Sequence, residues 1–175
     1  IANYWGLEAL PQNGIDLSFD APLYMLNTQA MQEAKTLRVS RVSLSVEDGL
    51  NNLENLCLNA PLPTCLIVYQ DTPLFSSAAC IRNTQCKECL REEKWTPLAK
   101  DGEKYLAFSK NCQTMLFAEK PLCLAAEAVQ LRADFWRADF CYKKYKPEQV
   151  AAIWNKVMSG QDVAQCRKAN AFRKI

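Results

Sequence analysis

The sequence predicts an α/β fold built on a parallel sheet, and two observations carry that prediction. Strand-like and helix-like segments alternate over the first 70 residues, with short connections between them. Within that stretch the run TCLIVYQ (64–70) is continuously apolar, which is typical of a strand buried on both faces. Alternation of this kind predicts parallel strands with helices packed against them.

The alternating half contains five predicted elements. In chain order they are an interrupted strand (15–27), a helix (28–37), a strand (38–45), a helix (46–58) and a strand (64–70). Thr28 and Ser45 are the predicted N-caps, because a hydroxyl oxygen accepts a hydrogen bond from a free amide of the first helical turn. Pro61 and Pro63 end the second helix.

The second half of the chain is less regular. From Asp71 to about Asp101 we predict an irregular, cysteine-rich segment. The later predicted elements are two strands (103–109 and 114–124), a helix (125–133), a strand (134–144) and a helix that starts at Pro147 and stops at Gly160. The predicted strand 134–144 has one charged and one apolar face.

Composition limits the classes of function. The chain has 175 residues and a net charge of +2, and 49% of its residues are hydrophobic, which predicts one globular domain over 1–175. A charge so near zero gives no argument for nucleic acid or an anionic membrane as partner. The absence of histidine excludes Ser-His-Asp and Cys-His catalysis and His-ligated metal within this chain. No run approaches about 18 apolar residues, so no membrane span is predicted.

Nine cysteines, an odd number, exclude complete disulfide pairing within the chain. Five of them stand alone and are predicted to be buried small apolar residues: Cys57, Cys65, Cys123, Cys141 and Cys166. The other four form a group with a different character, since polar and charged residues surround them.

That group consists of Cys80, Cys86 and Cys89 in a C-x5-C-x2-C pattern, with Cys112 further along. A C-x2-C pair lets two thiolates reach one metal from a single turn, and two more thiolates complete four-coordination. We therefore predict a metal-binding segment over 71–112, with exposed, unligated thiols as the alternative. The spacing does not choose between zinc and an iron–sulfur cluster, because both accept four thiolates.

Several motifs acquire a further meaning from their order along the chain. Ser45-Val46-Glu47 follows a predicted strand, PLFSSAAC (73–80) leads into the cysteine group, and RADF (137–140) lies on a late strand before a helix. In this order, over about residues 20–160, the chain resembles the peptidase U32 family, whose members are often called collagenase-like proteases.

The resemblance implies a fold, a cofactor and an activity. Members of the family are built on a TIM-like (β/α) barrel, and this chain resembles its second half, so we expect a partial barrel with a cysteine-rich insertion in a fragment of a longer U32-type protein. Several members bind a [4Fe-4S] cluster, which the resemblance assigns to Cys80, Cys86, Cys89 and Cys112, with Cys123 as a substitute for Cys112. They take part in oxygen-independent hydroxylation of tRNA, ribosomal RNA or a quinone precursor.

The resemblance also directs attention to polar residues near strand ends, because reactive sites of barrels lie at the carboxyl ends of the strands. Asn27 and Glu47 each follow a predicted strand, and Arg137 and Asp139 share one face of theirs. We predict that these four residues bind substrate. The alternatives are a structural Arg–carboxylate pair and a structural role for Asn27.

Three functions follow. The leading one is a cytoplasmic U32-type iron–sulfur protein that modifies RNA or a small aromatic substrate, with the remainder of the parent chain or a partner subunit completing its site. The second is a U32 peptidase with an unassigned catalytic group. The third is a non-catalytic domain in which the four cysteines hold structural zinc.

Overall fold

The computed structural model describes residues 1–10, 14–81, 93–168 and 170–172, and over these ranges the chain is mixed α/β, as predicted. Its elements, in chain order, are α1 (Trp5–Ala9), β1 (Ser18–Phe19), a 3-10 helix (Ala21–Leu23), α2 (Thr28–Thr36), β2 (Arg41–Ser43), α3 (Leu50–Asn59), β3 (Thr64–Gln70), β4 (Pro73–Ser77), β5 (Lys94–Lys100), β6 (Glu103–Lys110), β7 (Gln113–Ala118), β8 (Leu122–Cys123), α4 (Ala125–Ala128), β9 (Phe135–Asp139) and α5 (Pro147–Met158). They divide into two compact units. The first unit comprises Ile1–Gln70, Leu122–Phe140 and Lys144–Ile175, and the second comprises Asp71–Pro121 and Cys141–Lys143.

A five-stranded sheet forms the centre of the first unit. β1, β2 and β3 pair in parallel in that order, and β9 also pairs in parallel with β3. Val42 of β2 lies opposite Thr64 of β3, and Ile67 of β3 lies opposite Arg137 of β9. The predicted parallel arrangement of these strands is therefore confirmed. β8 adds a short antiparallel pairing to the end of β3, and the described strands do not close into a barrel.

The helices of the first unit pack on one face of this sheet. Met31 of α2, Leu53 of α3 and Val157 of α5 are fully buried in one hydrophobic cluster with Leu66 and Val68 of β3. Each such buried side chain stabilises the fold by roughly 1.5–3 kcal/mol relative to an exposed one. Because side chains alternate between the two faces of a strand, Cys65 and Ile67 project away from these helices. The register shift after Ile67 returns Tyr69 to the helix side, where it is buried in the same cluster.

The second unit is a four-stranded antiparallel sheet in the order β4-β7-β6-β5. The prediction that segment 71–101 is irregular is wrong, since β4 and β5 both lie in it. Each of these strands contains a proline, Pro73 at the start of β4 and Pro97 within β5. Both strands lie at the edges of the described sheet, where a missing amide donor is tolerated. The prolines interrupt the strand pattern in the sequence, and for this reason neither strand was predicted.

The two predicted N-caps are wrong, although the first predicted helix does begin at Thr28. The N-cap of α2 is Asn27, whose side-chain oxygen accepts a hydrogen bond from the Ala30 amide at 2.8 Å, and not the residue after it. The helix α3 begins only at Leu50. The hydroxyl oxygen of Ser45 accepts a hydrogen bond from the Glu47 amide at 3.2 Å, and this local bond turns the chain before the helix can start.

The solitary cysteines follow their burial predictions in part. Cys65 and Cys123 are buried, Cys57 and Cys166 are partly buried, and Cys141 is exposed. The prediction for Cys141 is wrong because this residue comes after the end of β9, in a bend rather than within the strand.

Candidate functional site

Two of the predicted metal ligands lie at one end of the antiparallel sheet. Cys80 follows β4, and Cys112 lies in the turn between β6 and β7. β4 pairs antiparallel with β7, so the end of β4 lies beside the start of β7. The Thr114 hydroxyl donates a hydrogen bond to the Ala79 carbonyl at 2.8 Å and accepts one from the Ile81 amide at 3.0 Å. Thr114, two positions after Cys112, is thus hydrogen-bonded to the residues on both sides of Cys80.

Cys112 occupies a strained backbone position. Asn111 and Cys112 have φ values of 49° and 61°, and the paired residues Lys110 and Gln113 close the turn around them. Two successive positive φ values are typical of a type I′ hairpin, in which glycine is strongly favoured. The hairpin between β5 and β6 has Gly102 in the equivalent place, with φ 81°. A non-glycine residue in the left-handed region costs about 1–2 kcal/mol, so the turn itself gives no reason for a cysteine here.

The other two cysteines of the predicted group, Cys86 and Cys89, lie outside the described residues. The described chain stops after the end of β4 and resumes just before β5, which begins at Lys94. Lys94 lies opposite Ser109, near the end of β6. The chain therefore leaves and rejoins the sheet at the end where the β6–β7 turn lies. The convergence of all four thiols stays a prediction.

A second polar cluster lies on the helix-free face of the parallel sheet. Arg137 Nη2 pairs with Asp139 Oδ2 at 2.9 Å, and Arg137 Nη1 donates to Asp20 Oδ1 at 2.8 Å and to Ser43 Oγ at 3.3 Å. The side-chain amide of Gln70 also donates to Asp139 Oδ2, at 3.0 Å. These contacts extend across the sheet from the end of β1 to the end of β9. The Arg–carboxylate pair that the sequence allowed as an alternative is present, and the substrate-binding role of the two residues stays a prediction.

Burial and charge compete in this cluster. Burial opposes the positive charge of Arg137, but the neighbouring carboxylates of Asp139 and Asp20 raise its pKa above the ordinary value. Burial raises the pKa of the Cys65 thiol, although Arg137 and Ser43 act in the opposite direction. Arg137 is therefore a fixed cation, and Cys65 beside it is a neutral thiol at neutral pH.

The same face presents an aromatic ring. Phe135 lies two residues before Arg137 on β9, so both side chains project from one face of the strand. The Phe135 side chain is 45% exposed, and the Arg41 guanidinium carbon lies 5.1 Å from the centre of its ring. Arg137 Nε is buried and has no hydrogen-bond partner among the described residues. An exposed ring and two guanidinium groups can hold a flat molecule that carries polar substituents.

Asn27 and Glu47, the other two predicted substrate ligands, are both exposed. Asn27 caps α2 through its side-chain oxygen. The Glu47 carboxylate accepts a hydrogen bond from the Tyr24 hydroxyl at 3.2 Å, and its charge raises the pKa of that hydroxyl. The Glu47 carbonyl also accepts a hydrogen bond from the Asn170 side chain at 3.0 Å. Asn27 thus has a structural role, and the substrate-binding role of both residues stays a prediction.

Sequence reasoning missed two features of the first unit. Asp20 directly follows β1, and the rule that selected Glu47, an acidic residue after a strand, could have found it. The second feature is a group formed by Cys123, Asp162 and Cys166, whose ligand atoms all lie within 4.8 Å of one another. The sequence did not indicate this group, because Cys123 lies about 40 residues before the neighbouring pair Asp162 and Cys166.

Comparisons of the chain with protein-family models, with curated proteins and with solved structures find no match. None of the described helices is both long enough and apolar enough to cross a membrane.

Proposed function

We propose that this chain is a U32-type protein whose Cys80, Cys86, Cys89 and Cys112 hold a [4Fe-4S] cluster at one end of the antiparallel sheet. The observation that carries the proposal is that Cys80 and Cys112 lie at the same end of the sheet, where hydrogen bonds join Ala79 and Ile81 to Thr114. Their positions fit the predicted ligand set. A metal bound there would be accessible from solvent, because Cys112 is exposed and Cys80 is partly exposed.

The strained turn supports the same proposal. A cysteine replaces the favoured glycine at a left-handed position, and unfavourable backbone conformations of this kind are concentrated at functional sites. The neighbouring hairpin, with Gly102 at the equivalent place, shows that the sheet does not require the strain. A requirement for a thiolate at Cys112 accounts for it.

We also infer that the parallel sheet is part of a (β/α) barrel. Parallel pairing of β1, β2, β3 and β9, with helices on one face, is the arrangement expected of part of a (β/α) barrel. In such a barrel the helix-free face is the interior, which here carries the Arg137 cluster. That polar face supports a site for a substrate within the partial barrel.

The proposed reaction is an oxygen-independent hydroxylation, or a related modification, of a small aromatic substrate or of RNA. When bound, a [4Fe-4S] cluster supplies single-electron transfer. The chain's own contribution is binding: the exposed ring of Phe135 offers a stacking surface beside the polar Arg137 cluster, in which the guanidinium is paired with Asp20 and Asp139. These features favour the small aromatic substrate over RNA, since a net charge of +2 provides little attraction for a polyanion.

The test is anaerobic purification or reconstitution of the full chain, with iron, sulfide and zinc measured per chain. We expect about four iron and four sulfide ions and a broad visible absorbance. Cys80→Ser and Cys112→Ser should each abolish most of the iron content. Cys141→Ser is the matched control, because Cys141 is an exposed cysteine of the same unit outside the predicted set.

Three outcomes would contradict the proposal. Iron content that survives Cys80→Ser and Cys112→Ser would remove the ligand assignment. Zinc in place of iron, lost in the same two variants, would favour the structural zinc domain. Cleavage of denatured collagen that survives loss of all four cysteines would favour the peptidase.

A further inference from the structure

The two units carry separate groups of thiols, and the group in the first unit has the donor atoms of a metal site. Cys123 Sγ donates a hydrogen bond to Asp162 Oδ1 at 3.3 Å. The Cys166 sulfur completes a set of three ligand atoms that all lie within 4.8 Å of one another. Tetrahedral zinc with bonds of about 2.3 Å to sulfur requires neighbouring sulfur atoms about 3.8 Å apart. A shift of about 1 Å at most would close the set around an ion.

The backbone holds these residues together. Cys123 ends β8, and its amide donates a hydrogen bond to the Arg167 carbonyl at 3.0 Å. Leu122 forms a parallel bridge with Arg167, which places Cys166 beside β8. The loop that brings Cys166 there contains Gln165 in the left-handed region, with φ 56°. A strained non-glycine residue next to a ligand indicates that the surrounding structure enforces this loop conformation.

The Asp162 carboxylate is oriented as a ligand. Its Oδ2 atom is held by Lys168 Nζ at 2.6 Å, so its Oδ1 atom faces Cys123. Lys168 also pairs with Glu127 Oε2 at 2.6 Å, and the Ala126 amide donates to Asp162 Oδ1 at 3.3 Å. Burial acts to raise the pKa of Asp162, but these hydrogen bonds, chiefly that from Lys168, hold it below the ordinary value. Groups that orient a ligand in this way are typical of metal sites.

We propose that Cys123, Asp162 and Cys166 bind a zinc ion, independently of the four-cysteine group of the second unit. Two sulfur ligands and one carboxylate oxygen suit zinc, and three protein ligands leave a fourth position for water. No other His, Cys, Asp or Glu ligand belongs to the group among the described residues. The Asp162 side chain is 28% exposed, so an ion can enter from its side although Cys123 is fully buried.

The charges balance when zinc binds. Burial raises the pKa of Cys123 to about 11, so its free thiol is neutral. Two carboxylates and the Lys168 ammonium then give the cluster one net negative charge. Zinc displaces one proton from each thiol, and both protons go to solvent. The incoming +2 replaces the two protons, so the net charge of this partly buried cluster does not change.

The test uses the full chain under reducing conditions, with Cys80, Cys86, Cys89 and Cys112 all replaced by serine. These four substitutions remove the competing site, and all of them fall within the second unit. Co²⁺ is the probe, because thiolate ligands give it a charge-transfer absorption, and Zn²⁺ then displaces it. We expect one Co²⁺ per chain. The result is independent of the proposed function, since iron binding by the unmodified four cysteines is measured separately.

Variants in this background assign the ligands. Cys123→Ser or Cys166→Ser should weaken Co²⁺ binding by more than about a hundredfold, because even the groups that orient ligands contribute about ten- to a hundredfold. Cys57→Ser, a partly buried cysteine on α3 outside the group, should leave the affinity unchanged. Lys168→Gln should weaken binding by about ten- to a hundredfold as a positioning residue.

Asp162→Asn keeps the proposal falsifiable if a cysteine variant does not fold, because Asp162 is partly exposed and its amide analogue fits the same space. The proposal is overturned if the background protein binds no Co²⁺ while both thiols titrate as reduced. It is also overturned if the Asp162 and cysteine variants bind as tightly as the background. A Cys123–Cys166 disulfide in protein whose thiols are alkylated directly in cell extracts would also overturn the proposal, because the two cysteines would then form a redox pair and not a zinc site.

Discussion

Replacing Cys112 by glycine separates two properties of that position, its backbone strain and its thiol. Cys112 is exposed and lies at φ 61° in a two-residue turn. The substitution removes no buried side chain, so packing changes little. It relieves the left-handed conformation and at the same time deletes a proposed metal ligand. The metal-free protein should become more stable, whereas the metal-loaded protein should lose its cluster.

The magnitude follows from the turn. Relief of the left-handed conformation gains about 1–2 kcal/mol, and the greater freedom of glycine in the unfolded chain returns about 0.4–1 kcal/mol. We therefore expect a net stabilisation of about 0.5–1 kcal/mol in the metal-free form. Cys112→Ala is the matched control, because it deletes the thiol and keeps the strain. Gly102→Ala is the reverse control: an added Cβ at Gly102 meets nothing within 4 Å, so its cost comes from φ 81° alone.

The assay is urea unfolding of chelator-treated, reduced protein, together with hydrogen exchange of the β6 and β7 amides, which reports on that sheet. Cys112→Gly should unfold at a higher urea concentration than Cys112→Ala, and Gly102→Ala at a lower one than the parent. Both Cys112 variants should lose iron equally. A glycine variant no more stable than the alanine variant would show that position 112 is not strained. Iron retained by either variant would show that Cys112 is not a ligand.

Three further predictions concern the first unit. Asn27→Ala should lower the free energy of unfolding by about 1 kcal/mol through loss of the N-cap. Asn27→Asp should not, because aspartate caps a helix equally well. The midpoints of urea unfolding measure both effects. Arg137→Ala should lower the free energy of unfolding by roughly 1–3 kcal/mol, because Asp139 loses a charged partner. The same variant should keep its iron content. Arg41→Ala is the control: it breaks an exposed ion pair and should cost less than about 1 kcal/mol. The pKa of Cys65 is raised in the folded protein, so the thiol ionises first in the unfolded chain. Its contribution to stability is therefore fully present below the ordinary thiol pKa of 9.0 and falls as pH rises above that value. Urea unfolding should show a shallower alkaline decline for Cys65→Ala.

The sequence specifies the parallel half of the fold well because its signals are local. The buried run 64–70 and the flanking helical patterns each indicate one element, and chain order then requires parallel neighbours. The antiparallel half was harder to predict, since β4 and β5 are edge strands with prolines and weak alternation. β4 pairs with β7, which is distant in sequence, so this pairing leaves no local signal. β5 pairs with the neighbouring β6 through the two-residue turn Asp101-Gly102, a local hairpin signal that the prediction overlooked.

The candidate sites divide in the same way. Spacing within one segment drew attention to the four-cysteine group, and a shared strand face identified Arg137 and Asp139 as a pair. Asp20 joins that pair across the sheet, in which β2 and β3 lie between β1 and β9, and sequence spacing does not reveal this arrangement. Cys123 and Cys166 appear as unrelated single cysteines until the bridge between Leu122 and Arg167 places them side by side.

The two thiol groups differ in donor chemistry, and the difference affects how a metal analysis must be interpreted. An all-sulfur set accepts either an iron–sulfur cluster or zinc, whereas a set with a carboxylate oxygen suits zinc. Zinc found beside iron is therefore expected of this chain and does not by itself favour the structural zinc alternative. That alternative gains support only when zinc is lost with Cys80 or Cys112. Zinc that is lost with Cys123 or Asp162 instead belongs to the first unit, and then the iron content of the second unit alone decides the proposed function.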